Sequence, residues 1–278
     1  MQPILILVVL NINMNKKVVI LGLGWLGLPL ANQLLREGYS VYGTKRNLPN
    51  QLPKNGLHIS TWQLGESLPI ELRKADYYIF TLPPAADEAF VIKTKFLFEE
   101  IPSSATLLFC SSTSVYGNQT GVLHETSSLE GGRRSGALLV ELEHYLQTDV
   151  GFNRVVLRFA GLIGPKRHPV FNLSGRTIDS NENQTVNLIH QEDIIGVISK
   201  ILSRLNTTTS IDSYQVYNLS SGEQISKRLY YGALAKRFGI LPPTYTDGKK
   251  AIQQRIISNE RIKDEFGHNF RSILDYKL

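Results

Sequence analysis

The sequence predicts an α/β fold, in which helices cover both faces of a doubly wound parallel sheet and a small C-terminal lobe follows. Two observations predict it. From Lys17 onward, short β-branched or aromatic runs alternate with longer amphipathic runs, which is typical of βαβ units around a parallel sheet. The 278 residues are 42% apolar, which is enough for a sizeable core. Disordered, collagen-like and coiled-coil chains are therefore excluded.

The elements follow one another in a regular order. Strands are predicted where short runs of β-branched or aromatic residues lie between turn residues. These runs cover residues 18–21, 40–43, 58–61, 77–81, 106–110, 154–159, 187–189 and 215–219. Helices are predicted where apolar residues recur at helical spacing between the strands. They cover residues 26–37, 88–100, 135–148, 192–205, 226–238 and 258–266.

Composition narrows the classes of protein. The single cysteine, Cys110, cannot form an internal disulfide, which indicates a reducing cytoplasm, and the scattered histidines predict no metal site. The net charge of +6 suits an anionic small molecule as well as nucleic acid. No helix-turn-helix, zinc or RNP motif supports nucleic-acid binding. The uncharged run 18–35 contains glycines, a proline and amides, so it is not a membrane helix and no membrane partner is expected.

Residues 1–13 are predicted to be an upstream start-site extension. The apolar run 3–10 is short and lacks the cationic start of a signal peptide, since the first lysine is Lys16. Met14 comes shortly before two lysines and a strand, which is the pattern of a natural start.

A glycine-rich turn follows the first strand. It reads Gly22-Leu23-Gly24-Trp25-Leu26-Gly27, a GxGxxG pattern between a strand and a helix. The first glycine permits a tight turn, the second lets a pyrophosphate approach the backbone, and the third lets the helix pack on the strand. The helix N-terminus then faces the phosphates. The context predicts a Rossmann-type dinucleotide site that includes Trp25 and Leu26, with a purely structural turn as the alternative.

The end of the second strand predicts which dinucleotide binds. An acidic residue there normally holds the ribose 2′-hydroxyl of NAD, but this chain has Thr44, Lys45 and Arg46. Two cations and a hydroxyl would bind the 2′-phosphate of NADP, which a carboxylate would repel. NADP is therefore expected. NAD stays open because an arginine can also stack on adenine, and the other alternative is a solvated basic loop.

This order of elements predicts two domains. Residues 14–162 are expected to form the dinucleotide-binding Rossmann domain, and residues 163–278 a small C-terminal substrate lobe. Within that second part, residues 185–220 are expected to complete the Rossmann sheet.

Two later strand ends carry further motifs. The fifth strand runs into Ser111-Ser112-Thr113-Ser114-Val115-Tyr116-Gly117, and the sixth into Arg158-Phe159-Ala160-Gly161-Leu162-Ile163-Gly164-Pro165. Together with His190-Gln191-Glu192-Asp193, these segments resemble the extended short-chain dehydrogenase/reductases, the NAD-dependent epimerase/dehydratase-like proteins. The resemblance covers nearly all of residues 18–270. It implies an oxidoreductase or epimerase that acts on a carbonyl or hydroxyl group of a nucleotide-sugar-like small molecule.

The chain departs from that family at the proton donor. In the family, the tyrosine of a YxxxK motif donates the proton and the lysine lowers its pKa. Aligning Glu143 with the family's glutamate puts Ser135 at the tyrosine position and Leu139 at the lysine position. The literal YxxxK at residues 245–249 lies in a distant loop and is attributed to chance. The pattern resembles the atypical subgroup of the family, whose catalytic standing is open.

There are four catalytic candidates, of which Ser112 and His190 are implied by the resemblance, while Tyr116 and Arg134 are candidates to replace the missing pair. Ser112 corresponds to the serine that hydrogen-bonds the reacting substrate oxygen, with capping of the loop as the alternative. Tyr116 is the phenol nearest to that serine and the best remaining proton donor, with packing or contact with substrate, as in the family, as the alternatives. Arg134 lies where an arginine can polarise a carbonyl, with solvent contact as the alternative. His190 is a minor candidate, because its usual role in the family is structural.

Further contacts are expected at the carboxyl edge of the sheet, where parallel α/β folds bind their ligands. The additional cofactor contacts are Thr81, Leu82, Pro83, Ala160 and Gly161, and the substrate contacts are Arg133, Arg167 and His168. The expected partners are a small-molecule substrate and, as one form of assembly, a second copy in a homodimer. The alternative to an enzyme is a non-catalytic NADP-binding sensor or regulatory protein.

Overall fold

A central parallel sheet organises the computed structural model, which describes residues 16–48, 51, 55–85, 89–132, 134–208, 213–246 and 254–275. The strands are β1 Lys17–Leu21, β2 Ser40–Lys45, β3 His58–Thr61, β4 Tyr77–Phe80, β5 Thr106–Ser112, β6 Gly121–Leu123, β7 Asn153–Phe159, β8 Gly161–Ile163, β9 Thr177–Ile178, β10 Leu188–His190, β11 Tyr214–Leu219, β12 Thr244–Tyr245 and β13 Arg255–Ile257. The helices are α1 Gly27–Arg36, α2 Ala89–Glu99, α3 Arg134–Thr148, α4 Pro169–Leu173, α5 Gln191–Thr207, α6 Lys227–Phe238 and α7 Glu260–Phe266.

Seven of these strands form the sheet, in the order β11-β7-β5-β4-β1-β2-β3. All neighbouring pairs in it are parallel, so the carboxyl ends of the strands meet at one edge. The chain winds outward from β1 to β3 and then crosses back to β4 on the other side of β1. The strand order therefore reverses between β1 and β4, which is where folds of this kind bind their ligands. The predicted α/β, doubly wound fold is confirmed.

The strands are apolar because helices cover both faces of the sheet. On one face, β1 packs with α1 and α5 through residues such as Ile20, Leu30 and Val197. On the other face, α2 and α3 pack through residues such as Phe98 and Leu142. Burial on both sides explains why β4 is buried along its whole length. Packing on both faces therefore holds the carboxyl edge of the sheet in a fixed position.

The C-terminal residues build a smaller third core beside the sheet. It includes Ile163, Val170, Tyr230 and Ile273. The predicted strand 187–189 lies here, because the observed strand β10 pairs with β8 in a separate two-stranded sheet rather than in the central one. Strand β11 instead forms the edge of the central sheet beside β7. The domain boundary at residue 162 stays a prediction.

No helix in the described part of the chain combines the length and the apolar character that a membrane crossing requires.

Candidate cofactor and substrate site

The glycine-rich turn lies at the carboxyl end of β1, where the strand order reverses. Gly22 has a φ of +105°, a conformation that favours glycine. A Cβ atom on Gly27 would lie 2.1 Å from the Gly22 carbonyl oxygen, so α1 packs directly on the turn. A Cβ atom on Gly24 would meet no atom within 4 Å among the described residues. The turn is thus closed at its two ends and open in its middle, which is the shape that an approaching pyrophosphate requires.

Two threonines from neighbouring strands hold this turn in place. The Gly22 amide donates to Thr44 Oγ1 over 2.9 Å, and Thr81 Oγ1 donates to the Gly22 carbonyl oxygen over 2.6 Å. Thr44 is buried beneath the turn. Its hydroxyl therefore supports the turn, and its predicted contact with a 2′-phosphate stays a prediction.

The two cations after Thr44 lie at the carboxyl end of β2. Lys45 is half-buried at the end of the strand, and Arg46 is exposed immediately after it. Among the described residues, neither side chain forms an ion pair with a carboxylate. Both charges remain available to an anionic ligand at this edge of the sheet, as a 2′-phosphate site would require.

The other predicted cofactor positions share the same edge. Thr81, Leu82 and Pro83 follow β4, and Leu82 packs against Gly22. Leu26 is buried in the core next to α1. The predicted nicotinamide-contacting residues follow β7: Ala160 is buried and Gly161 is exposed. Their roles as cofactor ligands stay predictions.

Ser112 ends β5 and begins the next turn. Its Oγ accepts a hydrogen bond of 3.1 Å from the Ser114 amide and so caps the short 3₁₀ helix Thr113–Tyr116. A serine hydroxyl that accepts one bond still has its own proton to donate. Because Ser112 is half-buried at the sheet edge, capping the turn is compatible with donation to a substrate oxygen.

Tyr116, by contrast, lies fully in the core. Its hydroxyl lies 2.7 Å from Asn218 Oδ1 and accepts from Arg158 Nη1 over 2.8 Å. Burial raises the pKa of this phenol, partly against the attraction of Arg158. A group that donates a proton to substrate has to reach it, so the geometry favours the packing role over the catalytic one.

A buried ion pair contacts Tyr116 and Ser111, the residue before Ser112. Arg158 Nη2 of β7 lies 2.7 Å from Glu143 Oε2 of α3, and Ser111 Oγ donates to the same carboxylate over 2.5 Å. Burial alone would lower the pKa of Arg158, but the charge of Glu143 and hydrogen bonds to Glu143 and Tyr116 together raise it. The arrangement fixes α3 to the strand ends that carry the candidate site.

The start of α3 is where the resemblance described above predicts the positions of the missing tyrosine and lysine. Leu139, at the lysine position, is buried in the apolar core. A Cβ atom on Gly136 would lie 2.7 Å from the Ser114 carbonyl oxygen, so this part of the helix packs closely on the turn after β5. Arg133 and the side chain of Arg134 lie outside the described residues, and their predicted roles stay predictions.

Arg255 is a site residue that sequence reasoning missed. It begins β13, far along the chain, and is half-buried. Its Nη1 donates to the Gly117 carbonyl oxygen over 2.7 Å, and its Nη2 donates to the Thr113 carbonyl oxygen. Arg255 thus holds both ends of the turn that follows Ser112. No sequence motif signals this contact, because it joins segments that lie far apart.

Both histidines predicted near the site are buried and bonded within the fold. His168 Nδ1 accepts from the Val170 amide over 3.0 Å and caps α4, while its Nε2 lies 2.6 Å from the Tyr230 hydroxyl. Burial, with a smaller effect of His190, lowers the pKa of His168 to about 4. His190 Nε2 lies 3.0 Å from the Ser272 carbonyl oxygen. These contacts give both histidines supporting roles, and their predicted substrate and catalytic roles stay predictions.

The low pKa of His168 predicts a loss of stability in acid. Because the unfolded chain binds the proton first as the pH falls from 6.5 towards 4, stability is complete above this window and declines through it. At about pH 5 the expected loss of unfolding free energy is about 2 kcal/mol. Urea unfolding at about pH 7.5 and about pH 5 measures it. His168→Asn keeps a capping acceptor without the titration and should lose less; equal losses would contradict the assignment.

Comparison with known proteins finds a relative that aligns with almost the whole chain. No protein-family model matches the sequence. The protein YeeZ of Escherichia coli strain K12 is 31% identical over 270 residues, which cover 92% of this chain and 96% of YeeZ. The chain belongs to the YeeZ family.

Solved structures show what fold this YeeZ-family chain has. MoeE5 in complex with UDP-glucuronic acid and NAD has a TM-score of 0.75 at 19% identity, over 93% of this chain and 95% of its own. UDP-glucuronic acid 4-epimerase from Bacillus cereus, in complex with NAD, has a TM-score of 0.74 at 18% identity, over 93% of this chain and 92% of its own. The resemblance to epimerase/dehydratase-like proteins is confirmed for the fold. The assignment of Leu139 of this YeeZ-family chain to the position of the lysine in those proteins stays a prediction.

Proposed function

We propose that the chain is an NADP-dependent oxidoreductase or epimerase that acts on a carbonyl or hydroxyl group of a nucleotide-sugar-like substrate. The observation that carries the proposal is the glycine-rich turn, closed at Gly22 and Gly27 and open at Gly24, at the reversal point of the sheet. The fold that this chain shares with MoeE5, which binds a nucleotide sugar and NAD, supports the substrate class.

The residues present fit a dinucleotide. Helix α1 begins at the turn, and its N-cap residue, Leu26, provides no side-chain hydrogen bond to the first amides. These amides and the positive end of the helix dipole suit a pyrophosphate. Lys45 and Arg46 would hold the 2′-phosphate. The bound nicotinamide would supply hydride chemistry, while the residues of the turn orient the dinucleotide along the sheet edge.

Ser112 is the residue proposed to touch the substrate. Its hydroxyl can donate a hydrogen bond to the reacting carbonyl or hydroxyl oxygen while its Oγ keeps the bond from the Ser114 amide. Arg255 positions this serine by holding the turn that follows it. A serine is a hydrogen-bond donor and not a strong acid, so we assign it the orientation and polarisation of the substrate oxygen.

The test of cofactor choice is the paired variant Lys45→Ala/Arg46→Ala. We expect its Kd for NADP to rise on the order of 100-fold, since two charged partners of the 2′-phosphate are lost, while its Kd for NAD changes by less than about 3-fold. Isothermal titration calorimetry measures both constants. Lys74→Ala removes an exposed cation just before β4, at the opposite end of the sheet, and serves as the control. Equal losses for NADP and NAD would contradict the proposed 2′-phosphate contact.

A non-catalytic NADP-binding sensor is the second candidate. It is favoured by the buried, fully bonded Tyr116 and by the leucine at the family's lysine position. Stopped-flow absorbance of NADPH, mixed with the protein and a panel of sugar nucleotides and small carbonyl compounds, separates the two candidates. Oxidation that Ser112→Ala abolishes supports the enzyme. Tight NADPH binding without oxidation across the panel supports the sensor.

A further inference from the structure

Trp25 connects the glycine-rich turn to the loop that follows β8. Its indole Nε1 donates to the Pro165 carbonyl oxygen over 2.8 Å, and a Cβ atom on Gly164 would lie 2.9 Å from the indole ring. From the other side, Gln191 Nε2 donates to the Trp25 carbonyl oxygen over 2.6 Å. The turn that is proposed to bind the pyrophosphate is therefore bonded to a loop about 140 residues later in the chain.

The same loop carries an arginine over the indole. Two backbone hydrogen bonds between Gly164 and Arg167, of 3.0 and 2.9 Å, close the loop. The Arg167 guanidinium carbon lies 5.0 Å from the centre of the Trp25 ring, within the range of a cation–π contact. Arg167 is exposed, and no hydrogen bond or ion pair to another described side chain occupies its guanidinium. Stacking on the Trp25 ring holds the Arg167 guanidinium in place and leaves its N–H groups able to donate hydrogen bonds to a ligand.

A cation at this position would balance negative charge that the side chains of the turn cannot balance themselves. The GxGxxG segment contributes amides and part of a helix dipole, but its own side chains, Leu23, Trp25 and Leu26, carry no charge. A pyrophosphate carries two negative charges. Trp25 directly follows Gly24, the open position of the turn, so the guanidinium is stacked on the residue next to that opening.

We propose that Arg167 binds the pyrophosphate of the dinucleotide, so that the loop after β8 closes on the cofactor. This inference rests on the proposed dinucleotide-binding function and changes the role of Arg167 from the predicted substrate contact. It also makes the Trp25 indole a platform that positions the guanidinium. Cofactor binding and the position of the loop are then linked, because the ligand favours the arrangement in which Arg167 is in place.

The test compares two ligands on the whole protein by isothermal titration calorimetry. NADP contains the pyrophosphate, whereas 2′-AMP contains the adenosine and the 2′-phosphate without it. We expect Arg167→Gln to raise the Kd for NADP about 10-fold and to leave the Kd for 2′-AMP within about 2-fold. Lys166→Gln removes the adjacent exposed cation and is the matched control, expected to change neither constant. Arg167→Lys should recover part of the lost affinity.

Trp25 fluorescence provides a second readout that does not depend on activity. The chain has two tryptophans, so Trp62→Phe leaves Trp25 as the only one. In this background, NADP should change the emission, and Arg167→Gln should reduce the change at equal saturation.

Each outcome separates the two proposals. A wild-type protein that binds neither NADP nor NAD overturns both. Wild-type binding that Arg167→Gln leaves unchanged overturns the pyrophosphate contact and leaves the proposed function standing. An equal loss for NADP and 2′-AMP shows that the arginine acts through the shape of the turn, and this also overturns the contact.

Discussion

Gly27→Ala is expected to abolish tight dinucleotide binding and to destabilise the fold. Its Cβ atom would lie 2.1 Å from the Gly22 carbonyl oxygen and 3.1 Å from Ile20 Cγ2. The nearest contact is with backbone, so α1 has to move away from β1 and the turn opens. Overpacking of this kind costs about 3 kcal/mol of unfolding free energy. The displaced helix N-terminus then no longer faces the phosphates, and we expect the Kd for NADP to rise at least about 30-fold.

Gly24→Ala makes the same chemical change three residues earlier and should behave differently. Its Cβ atom meets nothing within 4 Å in the described structure, so the unfolding free energy should stay within about 0.5 kcal/mol of the wild type. The methyl group would nevertheless occupy the side on which a pyrophosphate approaches the backbone. We therefore expect the Kd for NADP to rise on the order of 10-fold with little loss of stability.

Urea unfolding followed by circular dichroism, together with calorimetric titration of NADP, measures both variants. The proposal requires Gly27→Ala to lose stability and affinity, and Gly24→Ala to lose affinity alone. Wild-type affinity in Gly24→Ala would mean that no dinucleotide approaches the turn at this glycine, and the proposed function would then lose the observation that carries it.

The parts of the fold that the sequence predicted are those with local signals. The central strands are apolar on both faces, and the glycine-rich turn must follow β1 directly, so spacing alone locates the turn. The predicted strand 187–189 shows the limit of such signals. A short buried run does not reveal its partner, and here the partner is β8 rather than the central sheet.

The features of the candidate site that the sequence did not reveal depend on contacts between distant segments. Arg255 reaches the turn after Ser112 from near the end of the chain, and Arg167 reaches Trp25 from the loop after β8. Tyr116 has the motif of a site residue, but its burial is set by Arg158 and Asn218, which lie on other strands. Residue type and spacing identify candidates, while only the packing shows which side chains face a ligand.

Glu143→Gln is expected to produce the largest loss of stability among the substitutions considered. The carboxylate of Glu143 lies 2.7 Å from Arg158, and both side chains are almost completely buried. Without it, the Arg158 charge stays in the core with no charged partner. Breaking a buried pair in this way costs about 3 to 5 kcal/mol of unfolding free energy. The variant also weakens the hydrogen bond from Ser111, so the end of β5, and with it Ser112, should become less well ordered.

The same helix provides a matched control in Glu141→Gln. Glu141 forms an ion pair of 2.8 Å with Lys95 that is partly exposed to solvent, and such a pair contributes less than about 1 kcal/mol. Urea unfolding of both variants tests whether burial sets the difference. The double variant Glu143→Leu/Arg158→Met removes both charges and should recover much of the stability lost in Glu143→Gln, because no unpaired charge remains in the core. Equal losses at positions 141 and 143, or no recovery in the double variant, would contradict this account, because the larger loss at position 143 and the recovery both follow from an unpaired charge in the core.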